Sequence, residues 1–324
     1  DQVMVIPLTM FGAFLGVKNA DAAAMMARAY NDWVHDWCSP DPSRPFAAAV
    51  LPLQAPDLAA EELRRVTKKG FRVAMVRPIE IQGYYPNHPH YAPMWDAFEE
   101  TGLVVAMHTL ASRPQPENEP SVGLIQPGTG LFLERAISSK QIAVPSQTLG
   151  FVHESMTWLA NVLLSGFFED RPGIKRMAIM ESNATWLPSF LQDCDRAFHL
   201  YRVQRKRRVT RLPSEIFLER CFIAFESDES PVYRQLKVLE NVGIWSSDVY
   251  HHDGTDAWTA LREMRENRVG EPAQTKLMGG NARRMYGIEG PSHFTRNEPV
   301  SYERPDWYPR VRDVESEFAP LMKD

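Results

Sequence analysis

Leu103-Val104-Val105-Ala106-Met107-His108 is five apolar residues closed by an imidazole, with Thr101-Gly102 immediately before it. A run this short, apolar throughout and bounded by a glycine, suits a strand buried on both faces of a parallel sheet. The pattern repeats on either side. Gly70 precedes residues 72–77, which end on Arg77; Glu181 follows residues 176–180, and Glu226 follows residues 221–225. Residues 242–246 lead to Asp248, and residues 3–8 and 46–53 have the same character. Between these runs the apolar spacing becomes that of helices. Met25, Met26, Ala29, Tyr30 and Trp33 predict a helix over residues 20–37. Asp57 is placed to cap a second helix beginning near Pro56, and Trp158, Leu159, Val162 and Leu163 predict a third.

Strand and helix alternating this regularly build either an open doubly wound sheet or a closed barrel. No GxGxxG or Walker-type turn follows any of the seven runs, which disfavours the nucleotide-binding sheet. The expectation is an α/β chain with the (β/α)8 TIM-barrel fold over residues 1–288. Such a barrel has eight strands. With seven in view, and Asp1 rather than Met opening almost directly onto the first, the chain is expected to be truncated and to lack strand one. Residues 3–8 are then strand two, and a targeting segment upstream is compatible with the sequence. Beyond Gly287 the periodicity fails. Pro291, Pro299, Pro305, Pro309 and Pro320 punctuate residues 289–324, which read as an extended C-terminal arm lying on the barrel or on a neighbouring subunit.

Composition narrows the classes of function. Hydrophobic content of 44% and charged content of 24% fit a globular chain with a large core. A net charge of -5 offers no nucleic-acid surface, and the one basic cluster, Arg205-Lys206-Arg207-Arg208, reads as a solvated loop. No apolar run reaches the ~18 residues that span a bilayer. Cys38, Cys194 and Cys221 form no CxxC pair and read as buried thiols of a reducing, cytoplasmic setting. The expected partner is a small-molecule substrate, with neither nucleic acid nor membrane.

In a barrel, a polar residue at the C-terminal end of a strand faces the active-site mouth. Arg77, His108, Glu181, Glu226 and Asp248 occupy such positions. A histidine and an aspartate from different strands suit a divalent ion, with Zn, Mn and Fe all compatible. Each residue also has a structural reading. His108 can be a core histidine bonded to backbone, Asp248 a helix cap, and Glu181 the ion-pair partner of Arg77. His153 stands just before an amphipathic helix and can satisfy its N-terminus; His251 and His252 follow Asp248 on a loop, and His88 and His90 read as surface.

Several phrases resemble one family. They are Tyr30-Asn31-Asp32-Trp33, Leu51-Pro52-Leu53-Gln54, Gly70-Phe71-Arg72, Met75-Val76-Arg77-Pro78 and Met107-His108. Further on come Phe167-Phe168-Glu169-Asp170-Arg171-Pro172, Ser247-Asp248 with His251 and Asp253-Gly254, Gly280-Asn281-Ala282 and Tyr286-Gly287. In order and spacing they resemble the amidohydrolase-related group of metal-dependent hydrolases, which includes aminocarboxymuconate-semialdehyde decarboxylase and the resorcylate-type decarboxylases. The resemblance implies two metal ligands on strand one, as HxH or carboxylate-x-His, a third at His108 and a fourth at Asp248. It implies one divalent metal ion, Zn in the first instance with Mn or Fe as alternatives, and a homodimer.

The group's decarboxylases carry a histidine and a Gly-rich turn after strand six, where this chain has Glu181-Ser182-Asn183-Ala184. Proton transfer then falls to Glu181, His153 or His251, with Asp248 holding the ion and handling a proton. Arg77 is expected to pair with a substrate carboxylate, and residues 112–127 to cover the mouth as a lid. The leading expectation is a metal-dependent hydrolase of a small carboxylated or carbonyl-containing compound. Non-oxidative decarboxylation is the alternative, and a ligand-binding barrel without turnover is the third.

Overall fold

Seven short parallel strands lie side by side in chain order in one sheet. The structure is a computed structural model, described here for residues 2–7, 15–109, 146–203, 209–249, 251, 254–290 and 303–306. The elements run β1 (Val3–Val5), α1 (Ala20–Cys38), β2 (Pro45–Ala49), α2 (Pro56–Lys68), β3 (Val73–Val76), α3 (Ala92–Thr101) and β4 (Val104–His108). They continue α4 (Phe151–Leu164), α5 (Phe167–Asp170), β5 (Met177–Met180), α6 (Leu187–Leu200), α7 (Pro213–Arg220) and β6 (Cys221–Phe225). The last are α8 (Ser230–Arg234), α9 (Leu236–Leu239), β7 (Gly243–Trp245), α10 (Ala257–Glu266), α11 (Glu271–Thr275) and α12 (Asn281–Tyr286). The lid residues 112–127, the basic cluster and most of the C-terminal arm lie outside the described residues.

Strands β3 to β6 are buried at every position, as apolar runs without alternation require when both faces are covered. Helices pack on the outside, where Trp95, Trp158 and Phe167 meet in edge-on and stacked pairs 5.0–6.1 Å apart. All three cysteines are buried and unbridged.

Two local expectations are corrected. The second strand stops at Ala49 although residues 50–53 are also buried, because the Asn31 side chain takes both backbone groups of Val50. Its Oδ1 accepts from Val50 N and its Nδ2 donates to Val50 O, each at 2.9 Å, so no ladder partner is needed. Asp57 does not cap α2. Ala55 stands at the cap without a side-chain bond, Pro56 opens the helix, and Asp57 falls inside the first turn.

The sheet curls. A cavity of about 600 Å³ is lined at once by Val3 to Ile6 at one edge of the sheet, by Met180 of β5 and Ala224 of β6, and by Ser246 and Ser247 beyond the other edge. Arg283 of α12 donates from Nη1 to Gln2 Oε1 at 3.2 Å, drawing the two ends toward each other. Among the described residues, β1 pairs with β2 and β7 with β6, and neither edge pairs with the other.

Candidate active site

His108 is the last residue of β4 and lies opposite Met180 of β5 in the ladder. It is 5% exposed. Its Nδ1 makes a short contact with the carbonyl of Thr109. A carbonyl only accepts, so Nδ1 carries the proton and Nε2 presents a lone pair. Burial pushes the imidazole down to about 4, helped by the electrostatic influence of Arg77 and His251 and opposed by the Thr109 contact. The ring is therefore neutral at ordinary pH, the form that binds a metal.

Glu181 follows β5 directly and projects its Oε2 to 3.7 Å from His108 Nε2. Its backbone is left-handed, φ 60°, as is that of Asn183, φ 55°. Asp248, after β7, is left-handed as well, φ 47°. Such conformations cost ~1–3 kcal/mol each when a side chain is present and persist only where the surroundings impose them. Around Glu181 the constraints are Thr109 Oγ1 donating to its carbonyl at 2.6 Å and Trp186 Nε1 donating to Ser182 O at 2.7 Å. Around Asp248 the loop is stitched by His251 N to Asp248 O at 2.7 Å and Thr255 N to Ser247 O at 2.9 Å. Gly254 packs so closely that a Cβ there would lie 2.5 Å from the Asp248 carbonyl oxygen.

These turns converge. Ligand atoms of Glu181, Asp248 and His251 lie within 4.8 Å of one another, and His251 Nδ1 is 3.2 Å from Asp248 Oδ2. With His108, the donor set is two carboxylates and two imidazoles on the cavity wall. The His108 Nε2 lone pair and the Glu181 carboxylate face each other across 3.7 Å. A cation suits that juxtaposition, so the residues present fit a divalent ion.

Glu226 also lines the cavity. Arg77 does not. It is 2% exposed, and its Nη2 meets Glu154 Oε2 of α4 at 3.2 Å. The charge expected to meet substrate thus pairs with Glu154 of α4. His153 is exposed on the first turn of α4 and is absent from the cavity lining. The cap of α10 is Asp256, which accepts from Thr259 N at 2.7 Å, so the helix-cap reading of Asp248 falls away. The sequence reading missed Thr109, Glu154 and Glu229. Glu229 lines the cavity yet follows no strand directly, and Thr109 stands one residue past the strand-end position that marked His108.

The sequence pattern of the amidohydrolase family matches residues 7–288. The chain belongs to the amidohydrolase family. Among curated members, it is 23% identical over 309 residues to gamma-resorcylate decarboxylase of Rhizobium sp. (strain MTP-10005), covering 89% of this chain and 84% of that protein. It is 28% identical over 183 residues to the gamma-resorcylate decarboxylase of Rhodococcus jostii (strain RHA1), covering 54% of this chain and 50% of that protein. Solved structures share the fold. The 5-carboxyvanillate decarboxylase LigW from Sphingomonas paucimobilis superposes with a TM-score of 0.70 at 20% identity, covering 89% of this chain and 79% of that one. A dihydroxybenzoic acid decarboxylase from Polaromonas sp. JS666, with bound manganese and the inhibitor 2-nitroresorcinol, gives 0.67 at 19% identity, covering 86% and 79%. This amidohydrolase is an enzyme, a hydrolase or carboxy-lyase. The relatives named here are decarboxylases, so the decarboxylase alternative is better supported than hydrolysis, the first expectation. Among the described residues no helix is long and apolar enough to cross a membrane.

Proposed function

We propose that this amidohydrolase is a metal-dependent carboxy-lyase that removes carbon dioxide from a small hydroxylated aromatic acid. The observation that carries the proposal is the convergence of His108, Glu181, Asp248 and His251 on one cavity wall. The decarboxylase names of its relatives support it. The finer fold reading belongs to the same proposal. The curled sheet is a (β/α)8 barrel in which one further strand, strand one in the resemblance, fits between β7 and β1.

His108 through Nε2 and Asp248 through its carboxylate would hold the ion, with Glu181 facing it. A divalent ion held there would supply polarisation of the oxygen substituents of the substrate. The two-imidazole, two-carboxylate set admits Zn, Mn or Fe, and the manganese in the Polaromonas relative makes manganese the first to test. Decarboxylation breaks one C–C bond, releases carbon dioxide and leaves an electron pair on the ring carbon, which must take up one proton. His251 is partly exposed and its Nδ1 lies 3.2 Å from Asp248 Oδ2, close enough to pass a solvent proton to that carboxylate for delivery. The neutral His108 cannot serve as the acid, because burial keeps its proton affinity low.

The test is release of carbon dioxide from 2,6-dihydroxybenzoate, 5-carboxyvanillate and related hydroxybenzoates, with manganese or zinc added. Release that depends on metal and vanishes in Asp248→Asn supports the reading. Binding of these acids without turnover under any metal would return the protein to the ligand-binding class.

A further inference from the structure

We propose that Glu229 is a positioning residue that holds Glu181 in its left-handed conformation by tying the turn after β5 to the turn after β6. This rests on the reading of Glu181 as part of the site. Glu229 is 8% exposed. Its Oε2 accepts from Ala184 N at 2.9 Å, and its Oε1 accepts from Glu226 N at 2.9 Å. One carboxylate thus spans two successive strand-end turns, each of which bears a glutamate on the cavity wall.

The turn after β5 needs such an anchor. Glu181 and Asn183 are both left-handed, and only one residue separates them. The bonds from Thr109 and Trp186 fix the first part of that turn, through the carbonyls of Glu181 and Ser182. Glu229 fixes its far side, at Ala184 N, and fastens it to β6. With both sides held, the Glu181 carboxylate is presented to His108 and the Asp248–His251 pair.

The chemistry of the contact selects glutamate. Both partners are N–H donors, and an ionised carboxylate offers two acceptor oxygens. Glutamine offers one acceptor and an NH2, so one backbone amide would face a donor. Aspartate keeps two acceptors but is one methylene short of the span. Burial pushes the carboxyl's proton affinity up to about 7, while the backbone N–H groups of Ala184, Glu226 and Thr185 hold it down.

The test uses the intact protein, manganese chloride titrated calorimetrically, and crystal structures of the parent, Glu229→Gln and Glu229→Asp. Glu229→Gln is expected to bind Mn2+ about tenfold more weakly, as loss of a partner outside the ligand shell does. Its Glu181 carboxylate is expected to move away from His108 Nε2. Because Glu229 acts through Glu181, its effect should disappear in a Glu181→Gln background; a general loss of packing would instead add to that of Glu181→Gln. An additive double variant overturns the proposal, and so does a Glu181 carboxylate that stays in place in Glu229→Gln. If Glu229→Gln does not fold, Glu229→Asp, which keeps the charge, is judged by the same criteria. If Glu181→Gln leaves Mn2+ affinity unchanged, or the parent binds no Mn2+, the ion-facing reading of Glu181 fails. The position of Glu181 in the two crystal structures then decides the role of Glu229 by itself.

Discussion

The two ends of the sheet solve the same backbone problem with opposite residues. Before β3 and β4 the chain turns through left-handed Gly70, φ 90°, and Gly102, φ 68°. Nothing lies within 4 Å of where a Cβ would stand at either, so conformation and not crowding explains the glycines. After β5 and β7 the left-handed positions are Glu181, Asn183 and Asp248. The entry turns have only to reverse the chain, and a residue without a side chain does that at least cost. At Glu181 and Asp248 the exit turns present a carboxylate to the cavity from the point of reversal, and the cost is met by bonds with Thr109, Trp186 and Glu229 after β5 and with His251 and Thr255 after β7.

The largest effect should come from the chemistry that justifies the strain. Asp248→Asn is expected to lower turnover about a thousandfold at saturating manganese, because an amide cannot carry the proton near neutral pH. Parent-like turnover at full occupancy would show that the left-handed carboxylate at 248 is not there for proton transfer.

Next comes a pH dependence peculiar to the exit end. Burial, the largest cause, raises the Glu229 carboxyl to about 7 from 4.5, with Asp228 adding to the rise and the Ala184 and Glu226 amides opposing it. Between those values the folded chain holds more protons than the unfolded one. Its stability therefore falls as pH rises through that window and levels off above about 7. The full contribution is on the order of 3 kcal/mol. Urea midpoints at several pH values should show a shallower slope in Glu229→Gln, and an unchanged slope would remove this cost from the exit end.

His108→Ala should weaken Mn2+ or Zn2+ binding by about 10–100-fold, roughly 1.4–2.7 kcal/mol, with turnover partly restored by excess metal. Affinity like the parent's, measured by titration, would leave His108 a core residue. The smallest and most direct contrast pairs Glu181→Gly with Gly102→Ala. The first should stabilise the fold by about 1 kcal/mol while weakening the ion, and the second should destabilise it by about 1 kcal/mol while sparing the site. Thermal melts that move in the same direction would break the comparison.

The strands were legible because burial on both faces leaves an unbroken apolar run, as at β4 and β6. Their ends were less so. Residues 46–53 look continuous, and only the Asn31 side chain, inserted from α1, stops β2 at Ala49. Within the site, His108, Glu181 and Asp248 were visible as polar residues closing apolar strands. Arg77 obeys the same rule, but its pairing with Glu154, 77 positions away, is announced by no local signal. Glu229 was invisible for a related reason. It acts on backbone amides, and backbone amides leave no mark on a sequence.

The three unbridged thiols give the folded chain a built-in clock. Cys38 ends α1, Cys194 lies within α6 and Cys221 begins β6. Burial raises the proton affinity of each, and that of Cys194 reaches about 12, so the reactive thiolate is scarce while the fold is closed. Alkylation by iodoacetamide then reports how often each region opens. A helix end frays without disturbing its neighbours, whereas Cys221 is reached only when β6 parts from the strands and helices packed on it. Labelling should therefore proceed from Cys38 inward, with the Cys221 rate following the opening of the whole fold.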